Sequence, residues 1–596
     1  MYWEKVNSVG DLKKLKISEL EAYAAEIREK IISTVKLNGG HLSSNLGSIE
    51  LTIGLHYVFD SPEDKIIFDV GHQAYTHKII TGRRDLFGTI RTNGGLSGFP
   101  RMSESEHDAF TVGHSSTSLS VAVGLARARD LKGEKHHVVA LIGDGALTGG
   151  LSFEAINDIG ENNERVIIVL NDNTMSISGN VGALSKYLAR LRLSKRYSRI
   201  KKDIKKGVSA LPFFGDKIVR ALDRTKESVK SAMLVNKMFE NYGIKYLGPF
   251  DGHNIGEIVD ILRQVKNEAR PVLLHFITSK GKGLTEAETD PTRYHGIGGA
   301  RPRRGVDFSR TVSECLPELA ERDKRVVAVT AAMAEGTGLT AFAARFPERY
   351  HDVGIAEEHA VTMCAGLAAG GFKPYFAVYS TFLQRAFDEI LHDVCINSLP
   401  VTFLIDRAGA CGADGVTHQG VFDLGYLGML PGMTVCAPKD GYELKEMLEW
   451  SLSVSTPLAI RYPRSYETEY RTPFVPYSWE TLKRADNRNY ILAAGNRMLD
   501  EAMRCDVNVI NVRTVKPLDL KTLDSVAASG ARIITMEDNM LCGGFGREVL
   551  AYVNSAHKDC EVINLGYPDR FVESADVDCS LKEAGLTAEN LRKLFK

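Results

Sequence analysis

Cysteine is scarce and poorly placed for bridging. Nine occur in 596 residues, none before Cys315 and none in a C-x-x-C pair. That argues against a disulfide framework or a structural zinc site and favours reduced thiols in a cytoplasmic enzyme. Long apolar runs are missing too: none approaches the ~20 residues of a membrane span. The N-terminus, M-Y-W-E-K-V-N, has neither a basic-then-apolar signal pattern nor Arg/Ser-rich transit character. Net charge is only −1, with a pI near 7.0. A chain so balanced has no global basic field for nucleic acid or an anionic membrane. No short-period repeat is present, which excludes solenoids.

What remains is an ordinary globular composition, 44% hydrophobic and 25% charged. At this length one core does not suffice, so several domains are expected. Three blocks can be drawn, 1–305, 306–475 and 476–596. The glycine- and arginine-rich G-I-G-G-A-R-P-R-R-G (296–305) reads as the first linker, a solvated turn rather than a nucleic-acid contact. The polar segment 466–487 reads as the second. Short β-branched runs recur in the later blocks at R-V-V-A-V-T (325–330), P-V-T-F-L-I-D (400–406), Y-I-L-A-A-G (490–495) and A-R-I-I-T-M-E (531–537). Helical patterns lie between them, so each block reads as α/β. Residues 184–240 differ: they are rich in Lys and Arg and lack a strand signal. They read as a mobile, solvated helical insertion near the functional site.

The densest signal lies between Val138 and Met175. The run V-V-A-L-I-G-D-G-A is followed by a helical stretch and then I-I-V-L-N-D-N-T-M. Two apolar runs separated by a helix suggest a βαβ unit of a parallel sheet, where ligands bind beyond the carboxyl ends of the strands. Asp144 and Asn173 fall there, with Asn171 as the rival amide. Hard oxygen donors suit Mg²⁺ (Mn²⁺ as the alternative), which completes its shell with water and phosphate oxygens. Gly143 and Gly145 would let backbone approach a phosphate. Gly-Asp-Gly alone is a common turn; the second motif makes it a metal–diphosphate clamp.

Other constellations surround this one. Histidines stand in glycine- or serine-rich loops: His41 in H-L-S-S-N-L-G, His72 in D-V-G-H-Q-A-Y, His114 in V-G-H-S-S-T-S and His295 in R-Y-H-G. One such histidine is usually structural, but four in a chain that binds an anion read as donors and acid–base groups. Lys280, with Lys282 as its rival, would help neutralise phosphate. The glycine-dense D-R-A-G-A-C-G-A-D-G-V-T-H-Q-G (406–420) follows a strand and forbids a regular helix, which predicts a loop held against a ligand. It offers Arg407 as a phosphate-pairing cation, Asp414 as a hydroxyl-binding carboxylate and His418 as a proton shuttle. Arg461, in R-Y-P-R, ends another strand and is a second phosphate anchor on this reading. Two arginines near one pocket imply a phosphorylated substrate.

Together these motifs resemble the transketolase-like thiamine diphosphate enzymes, and among them the 1-deoxy-D-xylulose-5-phosphate synthase family. The resemblance runs through G-G-H-L-S-S-N-L-G, I-G-D-G-A, L-N-D-N-x-M-S-I-S, G-P-F-D-G-H, A-E-E-H-A, Y-S-T-F-L-Q-R-A and the 406–420 loop, and covers nearly the whole chain. It implies three doubly wound α/β domains: a diphosphate- and metal-binding first, a pyrimidine-binding second and a C-terminal transketolase-like third. It implies metal ligation by Asp144, Asn173 and the carbonyl of Met175. It implies cofactor contacts from His72, Gly113, His114, Ser115, Gly145, Ala146, Asn173, Lys280 and Phe382. Glu357, rather than Glu358, would be the carboxylate that activates the aminopyrimidine. His41, His295 and His418 would serve proton transfer. Tyr379, Arg385, Arg407, Asp414, His418 and Arg461 would meet the substrates. Those substrates would be pyruvate and D-glyceraldehyde 3-phosphate, turned over by a cytoplasmic homodimer. Departures are modest: T-A-A-M-A-E-G stands for T-P-A-M, the first linker looks short, and Cys411 takes an aliphatic place. Transketolase itself is disfavoured, since its usual G-D-G-x-x-x-E-G is here G-D-G-A-L-T-G-G. A catalytically silent relative is disfavoured because Asp144, Asn173 and Glu357 are all present.

Overall fold

In the computed structural model, which describes residues 1–173, 182–191, 237–300, 305–528, 530–556 and 560–595, the chain divides into two compact units. Unit one is Met1–Ile90 with Gly95–Arg301; unit two is Arg91–Gly94 with Pro302–Lys596. Met175 and residues 192–236 of the expected insertion lie outside the described residues.

The first unit is built on strands β1 (Lys65–Phe68), β2 (Val138–Gly143), β3 (Ile167–Asp172), β4 (Lys245–Asp251) and β5 (Val272–Ile277). They form one sheet in the order β1-β2-β3-β5-β4, every pair parallel. Alternate residues enter two cores. Val139, Leu141, Val169 and Leu274 face one, and Val138, Ala140, Ile168 and Leu273 the other. A sheet covered on both faces needs continuous apolar strands, which is why these runs do not alternate with polar residues. Helix Ile255–Val265 covers one face with Ile258, Val259 and Leu262, and Asn254 caps it by accepting from the Glu257 N–H at 3.0 Å. The register pairs Gly143 with Asn171 and Asn171 with Phe276, so the carboxyl ends of β2, β3 and β5 lie level.

The second unit holds two larger sheets. One contains β6 (Val326–Thr330), β7 (Tyr350–Asp352), β8 (Lys373–Tyr379), β9 (Thr402–Asp406), β10 (Thr434–Cys436) and β11 (Leu458–Arg461). Their order is β7-β6-β8-β9-β11-β10, closed by an antiparallel strand at Thr514–Lys516. The other contains β12 (Glu480–Lys483), β13 (Asn489–Ala494), β14 (Asn508–Asn511), β15 (Arg532–Met540) and β16 (Glu561–Tyr567), in the order β12-β14-β13-β15-β16. One apolar core takes residues from both sheets, including Val329, Phe376 and Ile405 of the first and Leu492, Ile510 and Ile533 of the second.

Both expected linkers need correction. Gly296–Gly298 is a strand that pairs antiparallel with Gly39–His41, so the start of the first linker belongs to the first unit. The polar second connector contains β12, and within it Trp479 is buried and donates its indole N–H to the Thr514 carbonyl at 2.8 Å. Antiparallel partners far away in the chain supply those bonds, and local composition does not register them. Among the described residues no helix is long and apolar enough to cross a membrane.

Candidate functional site

In the first unit, the residues read as a clamp stand where β2 and β3 end. Asp144 is buried, and its N–H donates to the Asn171 carbonyl at 3.2 Å. Burial, with Asp172 beside it, holds the Asp144 carboxyl well above the usual carboxylate range, while Lys280 acts to lower it. Two buried carboxylates side by side disfavour their charged forms and favour a cation between them. Lys280 is itself buried, and desolvation brings its ammonium down to about 8 despite Asp144. Lys282 is exposed. Asn171 is committed elsewhere: its Oδ1 accepts from Thr278 Oγ1 at 2.5 Å. Asn173 is half-buried at the same edge. Among the described residues no three His, Cys, Asp or Glu side chains cluster as a metal cage. The donor set fits Mg²⁺ completed by phosphate and water, which needs few protein ligands.

Sequence reasoning missed the group that holds this edge. Asp172 Oδ2 pairs with His275 Nε2 at 2.8 Å, and His275 Nδ1 pairs with Tyr246 Oη at 2.7 Å. These three residues come from β3, β5 and β4 and are all buried. Their one sequence signal is the polar H inside the apolar run V-L-L-H-F-I.

The histidines do converge. Ring centroids of His41 and His72 are 5.7 Å apart, His41 and His295 5.4 Å, and His72 and His295 5.4 Å. The strand pairing of Gly39–His41 with Gly296–Gly298 sets His295 beside His41. Asn45, also missed, ties the group together. Its Nδ2 donates to the carbonyls of His41 and His72, each at 2.7 Å, and its Oδ1 accepts from the Tyr75 N–H at 2.9 Å. Burial, then Lys280 and the neighbouring rings, push the His295 imidazole well below its ordinary range, so it is neutral at pH 7. His114 sits in a separate loop. Gly113 and Ser115 are buried, and Asp69 anchors the adjoining turn by accepting from the N–H groups of Ser116 (2.8 Å) and Ser118 (3.0 Å). Ser116 Oγ donates to the Ala146 carbonyl at 2.7 Å, which joins that loop to the turn at Gly145 and Ala146.

In the second unit, Glu357 opens helix Glu357–Ala369 and is 3% exposed. Burial pushes its carboxyl up to about 7, against the lowering effect of Arg385. Among the described residues nothing donates a hydrogen bond to its Oε2, and the Arg385 Nε stands 3.7 Å away. An orphaned buried carboxylate oxygen fits a ligand that brings its own donor. Glu358 has a side chain 39% exposed, which makes it the weaker choice.

Tyr379 and Phe382 stack with centroids 6.0 Å apart, and His418 stands edge-on to Phe382 at 5.7 Å. The Arg407 guanidinium lies 4.3 Å from the Tyr379 ring centroid and donates to the Gly336 carbonyl at 2.8 Å and to Asp406. Burial lowers the His418 imidazole, so it too is neutral at pH 7. Asp414 acts on it and is ion-paired to Arg91.

Arg461 departs from expectation. It is 3% exposed, its Nε meets Asp423 Oδ2 at 3.0 Å, and its Nη2 donates to the Asp538 carbonyl at 3.2 Å. The two-residue period of β11 turns it, like Ala459, toward the core shared with the third sheet. Arg464, three residues on and past the strand, adds its charge to that of Arg407 at Tyr379 and Asp406. Sequence reasoning missed it because R-Y-P-R offers two arginines and does not say which of them the strand still holds.

Comparison with known proteins agrees with these halves. A family model described as 1-deoxy-D-xylulose-5-phosphate synthase matches residues 3–278. Models of the transketolase pyrimidine binding domain and C-terminal domain match 304–467 and 489–591. The chain is 47% identical to the 1-deoxy-D-xylulose-5-phosphate synthase of Clostridium tetani, over 99% of this chain and 98% of that one. It is 48% identical to the protein of the same name from Carboxydothermus hydrogenoformans, over 100% of this chain and 98% of that one. The chain therefore belongs to the 1-deoxy-D-xylulose-5-phosphate synthase family.

Proposed function

We propose that this chain is a thiamine diphosphate- and Mg²⁺-dependent transferase. It decarboxylates pyruvate and joins the remaining two carbons to D-glyceraldehyde 3-phosphate, giving 1-deoxy-D-xylulose 5-phosphate and CO₂. That product opens the non-mevalonate isoprenoid route and feeds thiamine and pyridoxal synthesis. The reading includes a homodimer and three modules divided near 305 and 475. The observation that carries it is Glu357: a carboxyl brought near neutrality by burial, with one oxygen awaiting a donor, in a chain whose relatives carry this name.

Thiamine diphosphate, when bound, supplies the nucleophilic carbon and the ring that accepts the electron pair released with CO₂. The chain's residues do the rest. Asp144, Asn173 and, as the family resemblance implies, the Met175 carbonyl would hold Mg²⁺. Lys280 offsets diphosphate charge, and His72, Gly113, His114, Ser115, Gly145 and Ala146 shape the cradle. Phe382 would pack on the aminopyrimidine, and Glu357 would hold or give up the proton at its ring nitrogen. With a carboxyl near 7, either state is accessible at physiological pH. His41, His295 and His418 would move protons at the substrate oxygens. Asp414 orients an acceptor hydroxyl, while Tyr379 and Arg385 line the pocket. Arg407 binds the acceptor phosphate, and Arg464 takes the second anchoring role expected of Arg461.

Product analysis tests this. Protein loaded with Mg²⁺ and thiamine diphosphate receives pyruvate and D-glyceraldehyde 3-phosphate, and CO₂ and 1-deoxy-D-xylulose 5-phosphate are followed together. Both should appear, and only with cofactor. Neither appearing from folded, loaded protein overturns the reading.

A further inference from the structure

The loop 406–420 carries Arg407, Asp414 and His418, yet its shape is dictated elsewhere. It closes on itself where Gly409 and Gly420 exchange N–H···O bonds of 2.7 and 2.9 Å. Just inside that closure, the third module claims both polar groups of Ala410. Ala410 N–H donates to Asp538 Oδ1 at 3.0 Å, and Arg497 Nη1 donates to the Ala410 carbonyl at 2.7 Å. Arg497 also meets Asp538 Oδ2 at 3.1 Å, and Tyr567 Oη donates to Asp538 Oδ1 at 3.0 Å. Asp538 is 5% exposed, so these are charge-assisted bonds in a dry setting.

The fit is tight as well as polar. Gly409 has φ +81°, and a Cβ there would lie 1.9 Å from Asp538 Oδ2. Gly415, beside Asp414, has φ +74°, and a Cβ there would lie 2.2 Å from Ser574 Oγ. Buried Gln419 accepts from the Cys411 N–H at 2.6 Å and donates to the Glu573 carbonyl at 3.3 Å. Arg407 itself sits at φ +58°, a strained conformation for a residue with a side chain, which the surroundings must enforce.

We propose that Asp538, with Arg497 and Tyr567, is a positioning device of the third module that sets the acceptor loop, and through it the reach of Arg407, Asp414 and His418 to the phosphorylated acceptor. This rests on the proposed acceptor role of that loop. Asp538 touches no substrate; it acts by fixing the Ala410 peptide three residues from Arg407. A displacement of about 1 Å at such a loop costs on the order of a hundredfold in rate.

The test is steady-state kinetics of the Mg²⁺- and thiamine diphosphate-loaded full-length protein. Asp538→Ala should raise KM for D-glyceraldehyde 3-phosphate by about tenfold or more, on the scale of misplaced contacts. KM for pyruvate and the affinity for thiamine diphosphate should stay within about twofold of the parent, since neither contact depends on Ala410. Asp538→Asn, which keeps an acceptor for the Ala410 N–H and Tyr567 Oη but turns an amide donor toward Arg497, should recover part of the loss. Equal worsening of all three constants would overturn the proposal, and so would an unchanged acceptor KM. Should Asp538→Ala fail to fold by circular dichroism, Tyr567→Phe and Arg497→Lys carry the same expectation and the same refutation. Arg407→Ala separates the layers. If it raises acceptor KM while the Asp538 variants do not, the positioning role is wrong and the loop reading stands. If it leaves acceptor KM unchanged, the loop reading fails first.

Discussion

The Arg385 guanidinium nitrogen Nε stands 3.7 Å from Glu357 Oε2 and 3.8 Å from Glu358 Oε1, so two adjacent carboxylates share one cation. Of the two only Glu357 is buried, and burial raises its carboxyl to about 7. Neighbours in the chain thus differ in setting because the helix start turns one inward.

A pH dependence comes with that burial. The folded Glu357 carboxyl titrates near 7 against 4.5 for the free group, so the folded state holds the extra proton between these values. Its contribution is fully present below pH 4.5 and is lost as pH rises through 7, roughly 3 kcal/mol in all. Glu357→Gln removes that titration. The cofactor-free variant should melt above its parent at pH 8 and level with it at pH 4.5. Turnover should fall at least about a hundredfold with cofactor affinity largely kept. Full activity, or parallel melting curves at both pH values, would refute the assignment.

Asp144→Ala should separate metal from cofactor. Calorimetric titration with thiamine diphosphate should show affinity at least about tenfold weaker in the presence of Mg²⁺, and little response to added metal. An unchanged, metal-dependent affinity would remove Asp144 from the clamp.

The two arginines of R-Y-P-R should behave oppositely. Arg461→Ala leaves Asp423 buried without its ion-pair partner and should cost about 3–5 kcal/mol in denaturant unfolding. Arg464→Ala should leave stability within about 0.5 kcal/mol, as expected for a half-exposed side chain, while raising KM for the acceptor. A reversal of these outcomes would restore Arg461 as the anchor.

Asn45→Ala should loosen the histidine group without touching a substrate. It removes the two bonds that Asn45 donates to the His41 and His72 carbonyls and the one it accepts from the Tyr75 N–H, at about 0.5–1.5 kcal/mol for each bond lost. Urea unfolding measures this, and a loss below about 1 kcal/mol would mean that water or a shift satisfies all three.

Local sequence sufficed for the apolar strands read from it and for the parallel α/β class, and it placed Asp144 past a strand's carboxyl end. Val138–Gly143 and Ile167–Asp172 are apolar because both sheet faces are covered, and the polar residue that ends such a run must lie at the carboxyl edge. Asp144 and the 406–420 loop were legible for that reason. Which polar groups are satisfied, and by what, was settled only when distant parts of the chain met. Asp172 finds His275 103 residues away, and Ala410 finds Asp538 128 residues away. Arg461 and Arg464 look alike in sequence, yet one is buried on an aspartate and the other stands half-exposed past the strand. Strand period sets the direction in which a side chain leaves the backbone, but its partner there is supplied by another part of the chain, and burial and protonation depend on that meeting.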